Sequence, residues 1–153
     1  MRLNKRIAFV VAALAACSTI AFAYQKSDAQ KDKPRGKQDQ PAAVEFIMAE
    51  ELKTKIAKNE PLAILDLRAE SAYSQSDKTI KGSLHTKVRK AATRLKAASR
   101  DQEVITYCAC PSDEAATIAA RLLLANGFKR VRVLKGGWNA WLQAGGQVER
   151  RPL

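Results

Sequence analysis

Two short runs, Ala63-Ile64-Leu65 and Val104-Ile105-Thr106-Tyr107, are apolar without a clear polar alternation. A strand with one face in water alternates polar and apolar residues, whereas an unbroken apolar run suits a strand covered on both faces, as in a parallel sheet flanked by helices. The surrounding sequence agrees. Beyond residue 43, β-rich runs alternate with helical spacing: Val44 to Ile47 then Ala49 to Ala57, Leu62 to Leu67 then Ala69 to Ser74, Val104 to Tyr107 then Glu114 to Asn126, and Val131 to Leu134 then Trp138 to Ala144. In the third helix Ile118, Leu122 and Ala125 recur at helical spacing, and Asn126-Gly127 supplies a C-terminal cap. This order predicts an α/β domain with a central, mainly parallel sheet of about five strands and helices on both faces.

Arg2, Lys5 and Arg6 precede an uncharged run from Ile7 to Ala23, a positive region followed by an apolar one, as in an export signal. The run is short for a bilayer span. Ala21-Phe22-Ala23 has the form of a signal-peptidase site, while Leu14-Ala15-Ala16-Cys17 resembles a bacterial lipobox that would lipidate Cys17. Residues 1–23 are therefore expected to be a signal peptide or membrane anchor, with cleavage, lipidation and retention all open. Residues 24–43, rich in Lys, Gln and Asp, read as a disordered polar linker. The folded domain is expected over 44–153, in the cell envelope of a bacterium, periplasmic or membrane-anchored.

The 153 residues carry 27 Lys plus Arg against 15 Asp plus Glu, a formal charge of +12. Such a charge favours anionic partners. Aromatic residues are only 6% of the chain and are not interleaved with the basic ones, so a base-stacking groove is poorly supported and no nucleic acid is expected. Three Cys and one His cannot build a four-ligand zinc cage without a carboxylate, and the odd thiol count argues against a fully paired disulfide framework. No resident metal or cofactor is expected. Cys108 and Cys110 could hold a soft metal only with ligands from outside the loop.

Ligands of open parallel sheets bind beyond the carboxyl ends of the strands, which directs attention to Cys108-Ala109-Cys110-Pro111 after Tyr107. A cysteine between a strand end and a helix N-terminus meets the unpaired N–H groups of the first turn, which stabilise a thiolate. Such a thiolate can take up sulfur as a persulfide, attack a disulfide, or act at arsenic or phosphorus. Position alone does not separate these reactions. A buried cysteine serving only as a small hydrophobe is the structural alternative. Cys110 could attack a Cys108 persulfide or close a small, labile Cys-x-Cys ring suited to exchange.

Four stretches in order resemble the rhodanese family, the single-domain sulfurtransferases that carry sulfur on cysteine. They are Ile64-Leu65-Asp66-Leu67-Arg68, Ile80-Lys81-Gly82-Ser83, Val104-Ile105-Thr106-Tyr107-Cys108, and Asn126-Gly127-Phe128 followed by Val131-Arg132-Val133-Leu134-Lys135-Gly136-Gly137-Trp138-Asn139-Ala140-Trp141. The resemblance spans roughly Val44 to Pro152. It implies a rhodanese-like fold with Cys108 as the persulfide carrier, a small sulfur donor and a thiol or protein acceptor as partners, and a monomer.

The loop departs from the family's common Cys-x-x-Gly-x-Arg form. It has neither that Gly nor that Arg and reads longer, which makes thiosulfate a doubtful donor. The candidate site is accordingly Cys108 as nucleophile, Cys110 as assisting or resolving thiol, and the backbone of Ala109, Pro111, Ser112, Asp113 and Glu114 as the anion cradle. Pro111 removes one donor, and Asp113 or Glu114 would repel a dianion while being well placed to cap the helix. Asp66 and Arg68 are expected to tie loops near the site as structural support. Gly136-Gly137 reads as a sharp turn, and Trp138 and Trp141 as packing residues. His85 is expected to be structural or exposed, and Lys78, Lys81 and Lys135 to lie on the solvated surface. The departures also leave room for a binding module that keeps the fold without turnover, or for thiol-disulfide exchange through Cys108 and Cys110.

Overall fold

Five parallel-paired strands build the main sheet, and two of its inner strands carry apolar residues toward both sides. In β5 (Glu103–Tyr107), Val104 faces one hydrophobic cluster and Ile105 and Tyr107 the other, and the whole strand is buried. β2 (Leu62–Asp66) divides in the same way, with Leu65 on one face and Ile64 on the other. The strand order is β1-β6-β5-β2-β4, with β1 at Glu45–Ile47, β4 at Ser83–His85 and β6 at Arg130–Leu134. All four pairings are parallel. The computed structural model of the chain describes residues 43–152. The signal or anchor segment 1–23, Cys17 within it, and the linker up to residue 42 lie outside the described residues. Among those described, no helix is long and apolar enough to cross a membrane.

Helices cover both faces. On one side α1 (Ala49–Ala57) and α5 (Gly137–Gln143) bring Leu52, Trp138 and Trp141 against Ile47, Ile64, Ile105 and Leu134. On the other, α4 (Glu114–Ala125) and the short α3 (Ala91–Arg94) pack on Leu65, Val104, Val131 and Val133. The face that α4 buries differs from the one its spacing suggests. Ala116, Ala119, Ala120 and Leu123 are fully buried, while Ile118 and Leu122 are 44% and 39% exposed. Three alanines let the helix approach the sheet closely, and Leu123 fills the remaining space, contributing roughly 1.5–3 kcal/mol by burial. The helix ends as expected: Gly127 takes φ +85°, and the Phe128 and Gly127 N–H groups donate to the Leu123 and Leu124 carbonyls.

Three short strands, a 3-10 turn and the short helix α3 go beyond the sequence reading. β3 (Lys78–Ile80) pairs antiparallel with β7 (Val148–Arg150) as a separate two-stranded ribbon, β4 takes the sheet edge beside β2, and a 3-10 turn spans Val88–Lys90 between β4 and α3. A three-residue strand is too short for a period to show. These additions matter, because the register sets Asp66 of β2 between Tyr107 of β5 and His85 of β4. With α2 (Glu70–Ser74) following β2, the strand carboxyl ends converge where the cysteine loop begins.

Candidate active site

Cys108 follows the last residue of β5, and its side chain is buried to 1% exposure within the α4-side cluster. The chain then turns: the Asp113 N–H donates to the Cys110 carbonyl at 3.2 Å. Pro111 occupies the second position of that turn, where its fixed φ is favourable. Asp113 sits at φ +55°, and α4 starts at Glu114, with the Thr117 N–H donating to the Asp113 carbonyl at 2.9 Å. Cys108 and Cys110 are joined by a disulfide, their Cα atoms 5.7 Å apart. The expected Cys108 thiolate therefore belongs to a reduced form, and the structure holds the oxidised one.

The Gly136-Gly137-Trp138 turn closes over this loop. Gly136 and Gly137 lie at φ +71° and +51°, and the Trp138 N–H donates to the Cys108 carbonyl at 2.8 Å. A Cβ at Gly137 would collide with that same carbonyl, so only glycine lets the two segments meet. Asp113 holds them from the other side, its Oδ2 accepting the Gly136 N–H at 3.0 Å with Lys135 Nζ at 3.8 Å. The expected capping by Asp113 is corrected accordingly. It stands at the N-cap position but makes no side-chain cap, because its left-handed backbone turns the carboxylate toward Gly136. Glu114 lies exposed in the first turn.

A cavity of about 430 Å³ opens beside the loop. Cys108, Ala109 and Cys110 line it together with apolar side chains such as Leu67, Ala72 and Val88, and with Arg68, Glu70, His85 and Lys87. Of the anticipated cradle, only Ala109 reaches the cavity; Pro111 and Ser112 are exposed, Asp113 is buried toward Gly136, and Glu114 points into solvent. Ala115, from the first turn of α4, lines it instead. Neither acid of the loop borders the cavity, so the repulsion anticipated from them is displaced to Glu70. Lys78, Lys81 and Lys135 do not line it either. Lys87 does, and nothing in its surrounding sequence marked it.

His85 also borders the cavity, a place the sequence did not indicate. Its Nε2 donates to the Arg68 carbonyl at 3.0 Å, and its ring stacks on Tyr73 with centroids 3.7 Å apart. The imidazole is thus pinned, and it lines the same cavity as the cysteines. A signal existed only in the pairing of Asp66 with His85, which a three-residue strand hides.

Asp66 and Arg68 form a buried knot behind the cavity. Arg68 Nη2 donates to Asp66 Oδ2 at 2.6 Å, its Nε reaches both carboxylate oxygens, and Nη2 also donates to the Lys78 carbonyl. Tyr107 Oη and Thr79 Oγ1 donate to the same Oδ2 at 2.6 and 3.1 Å. Burial, with Asp66 beside it, holds the Tyr107 hydroxyl well above the ordinary tyrosine range, so it stays protonated. Arg68 also lies 4.4 Å from the Trp138 ring. The pair thus links β2, β3, β5 and α5 by charge-assisted bonds.

The family model for the rhodanese-like domain matches residues 48–144. The chain belongs to the rhodanese-like domain family. A solved structure of the Alr3790 protein from Anabaena sp. is 32% identical, with a TM-score of 0.60 over 69% of this chain and 82% of that one. The BH2092 protein from Bacillus halodurans is 29% identical, with a TM-score of 0.61 over 70% of this chain and 77% of that one. A thiosulfate sulfurtransferase from Pseudomonas aeruginosa shares the fold at 22% identity and a TM-score of 0.59, over 70% of this chain and 20% of that protein. No curated protein matches. Among the described residues of this rhodanese-like domain, no group of three or more His, Cys, Asp or Glu side chains is placed to hold a metal ion.

Proposed function

We propose that this rhodanese-like domain is a sulfurtransferase, exported or membrane-tethered, that carries sulfur as a persulfide on reduced Cys108. The observation that supports it most is the position of Cys108 at the end of a buried strand, on the wall of a cavity bordered by Arg68, His85 and Lys87. An external thiol first reduces the disulfide. The Cys108 thiolate, stabilised by the open N–H groups of the first turn of α4, attacks the terminal sulfur of a donor persulfide. The donor's S–S bond breaks, its thiolate leaves, and a Cys108 persulfide forms. An acceptor thiolate then takes the outer sulfur and returns Cys108 to its thiolate. The mostly apolar wall and the missing loop Arg favour an organic persulfide over thiosulfate.

The test is intact-mass and fragment mass spectrometry of the reduced protein after treatment with organic persulfide, polysulfide and thiosulfate. One added sulfur on Cys108, lost in Cys108→Ser, is expected; no uptake from any donor would leave a binding module as the better account. Intact mass of the protein recovered from its native envelope tests export, cleavage and lipidation at Cys17 together. The disulfide itself favours a second reading, thiol-disulfide exchange through Cys108 and Cys110. Cysteines that stayed reduced after equilibration with oxidised glutathione would dismiss it.

A further inference from the structure

We infer that the oxidised form of the loop is itself a sulfur-loading state, in which hydrosulfide attacks the Cys108–Cys110 disulfide at Cys110 and leaves a persulfide there. The inference rests on the sulfur-carrying reading above but concerns a different redox form, donor and sulfur atom. Three observations carry it. The two cysteines are bonded to each other, so the chain holds an oxidant beside the cavity. Both cysteines border the cavity, but the two sides of the disulfide are unequally exposed: Cys108 is 1% exposed and packed in the core, whereas Cys110 is partly exposed. A nucleophile arriving through the cavity therefore meets Cys110 more readily, and access decides which sulfur is attacked.

The third observation is the character of the approach. The cavity walls are mainly small and apolar, with the basic residues Arg68, His85 and Lys87 against the single carboxylate Glu70. The Arg68 guanidinium is fully buried and paired with Asp66, so Lys87 is the exposed cation on the cavity wall. Such a site suits a compact monoanion and offers no arginine fork from the loop to a dianion.

The step balances without a further reagent. A lone pair of hydrosulfide forms a bond to Cys110 Sγ. The Cys108–Cys110 bond breaks, and its electron pair leaves on Cys108 Sγ, at the foot of α4 where open N–H groups stabilise the thiolate. The sulfide is oxidised to the persulfide level, the disulfide is reduced, and the hydrosulfide proton passes to solvent. An acceptor thiolate that takes the outer sulfur from Cys110 leaves the dithiol, and a disulfide-bearing oxidant must then restore the starting state.

The experiment uses the full chain with its disulfide intact, in the absence of other thiols. Sodium hydrosulfide is added with an alkylating agent present, and the loop peptide is sequenced by fragmentation. The expected result is a mass gain of one sulfur on Cys110, with alkylated Cys108 and loss of the disulfide. An unchanged disulfide, a reduced loop with no retained sulfur, or sulfur carried on Cys108 would each overturn the inference. So would equal uptake from hydrosulfide by the pre-reduced chain, because the oxidant would then not be the disulfide. Loading of the reduced chain by an organic persulfide is read separately, so the two readings fail independently.

Discussion

At residue scale the most consequential side chain is Asp66, whose carboxylate takes bonds from Arg68, Tyr107 and Thr79 at full burial. Asp66→Ala would strand the Arg68 guanidinium in the core, at a cost of about 3–5 kcal/mol, measurable by urea unfolding. Pairing it with Arg68→Met should recover much of that loss, because the uncompensated charge goes too. Tyr107 supplies the pH dependence. Its pKa is raised above the usual 10.0, first by burial and then by Asp66, so the folded state keeps a proton that the unfolded state releases. The contribution is whole below that usual value and is lost as pH rises above it, toward the folded value. Stability should therefore fall steeply in alkali. Tyr107→Phe should flatten the decline, with part remaining from Tyr73, whose pKa is also raised by burial. The Asp-x-Arg pair was legible because both partners lie in one short run; Tyr107 and Thr79 reach the same carboxylate from separate elements, and nothing local in their sequence shows it.

At the scale of elements, the meeting of the Gly136-Gly137 turn with the cysteine loop can be isolated by comparing two glycines. Gly82 and Gly137 both have positive φ, +77° and +51°, but a Cβ at Gly82 meets open space while one at Gly137 meets the Cys108 carbonyl. Gly82→Ala should cost only the backbone term, about 1 kcal/mol. Gly137→Ala adds a steric conflict and should cost about 1–3 kcal/mol more in denaturant titrations. It should also alter the rate at which dithiothreitol opens the Cys108–Cys110 bond, a readout Gly82→Ala should leave alone. Equal costs for the two would mean that the turn does not hold the loop. The sequence showed that this turn was tight, since paired glycines after a strand say so. What the turn touches was not legible, because Cys108 lies far along the chain. The same limit hid β3, β4 and β7, and with β4 the place of His85. For α4, Ile118 and Leu122 revealed a helix but named the wrong face, because alanines that admit close packing carry little hydrophobic signal.

Across the whole molecule, the parallel sheet separates two poles, since β5 begins at Glu103 and ends at Tyr107, just before the cysteine loop. The formal charge of +12 favours anionic partners, yet several cations are engaged at the first pole. Glu103, 4% exposed, pairs with Lys55 at 3.0 Å, Arg130 at 2.9 Å and Arg132 at 3.5 Å. Lys55 has its pKa pushed up by Glu60 and then Glu103, while Arg132 holds Glu51 below its ordinary value. Such a network follows from strand order: β6 lies beside β5, which brings Arg130 and Arg132 to Glu103, and α1 adds Lys55. Strand identity was legible in the sequence, but this adjacency rests on long-range pairing that no local pattern records. Glu103→Gln keeps the shape while removing the charge that three cations share. It should lower stability by about 1–3 kcal/mol, with the loss shrinking as salt screens the more exposed partners. Sulfur loading at Cys108 should be unchanged, because the two sites occupy opposite ends of one strand. A variant of normal stability that failed to load sulfur would show that the poles communicate through β5, and the separation argued from the sheet would be wrong.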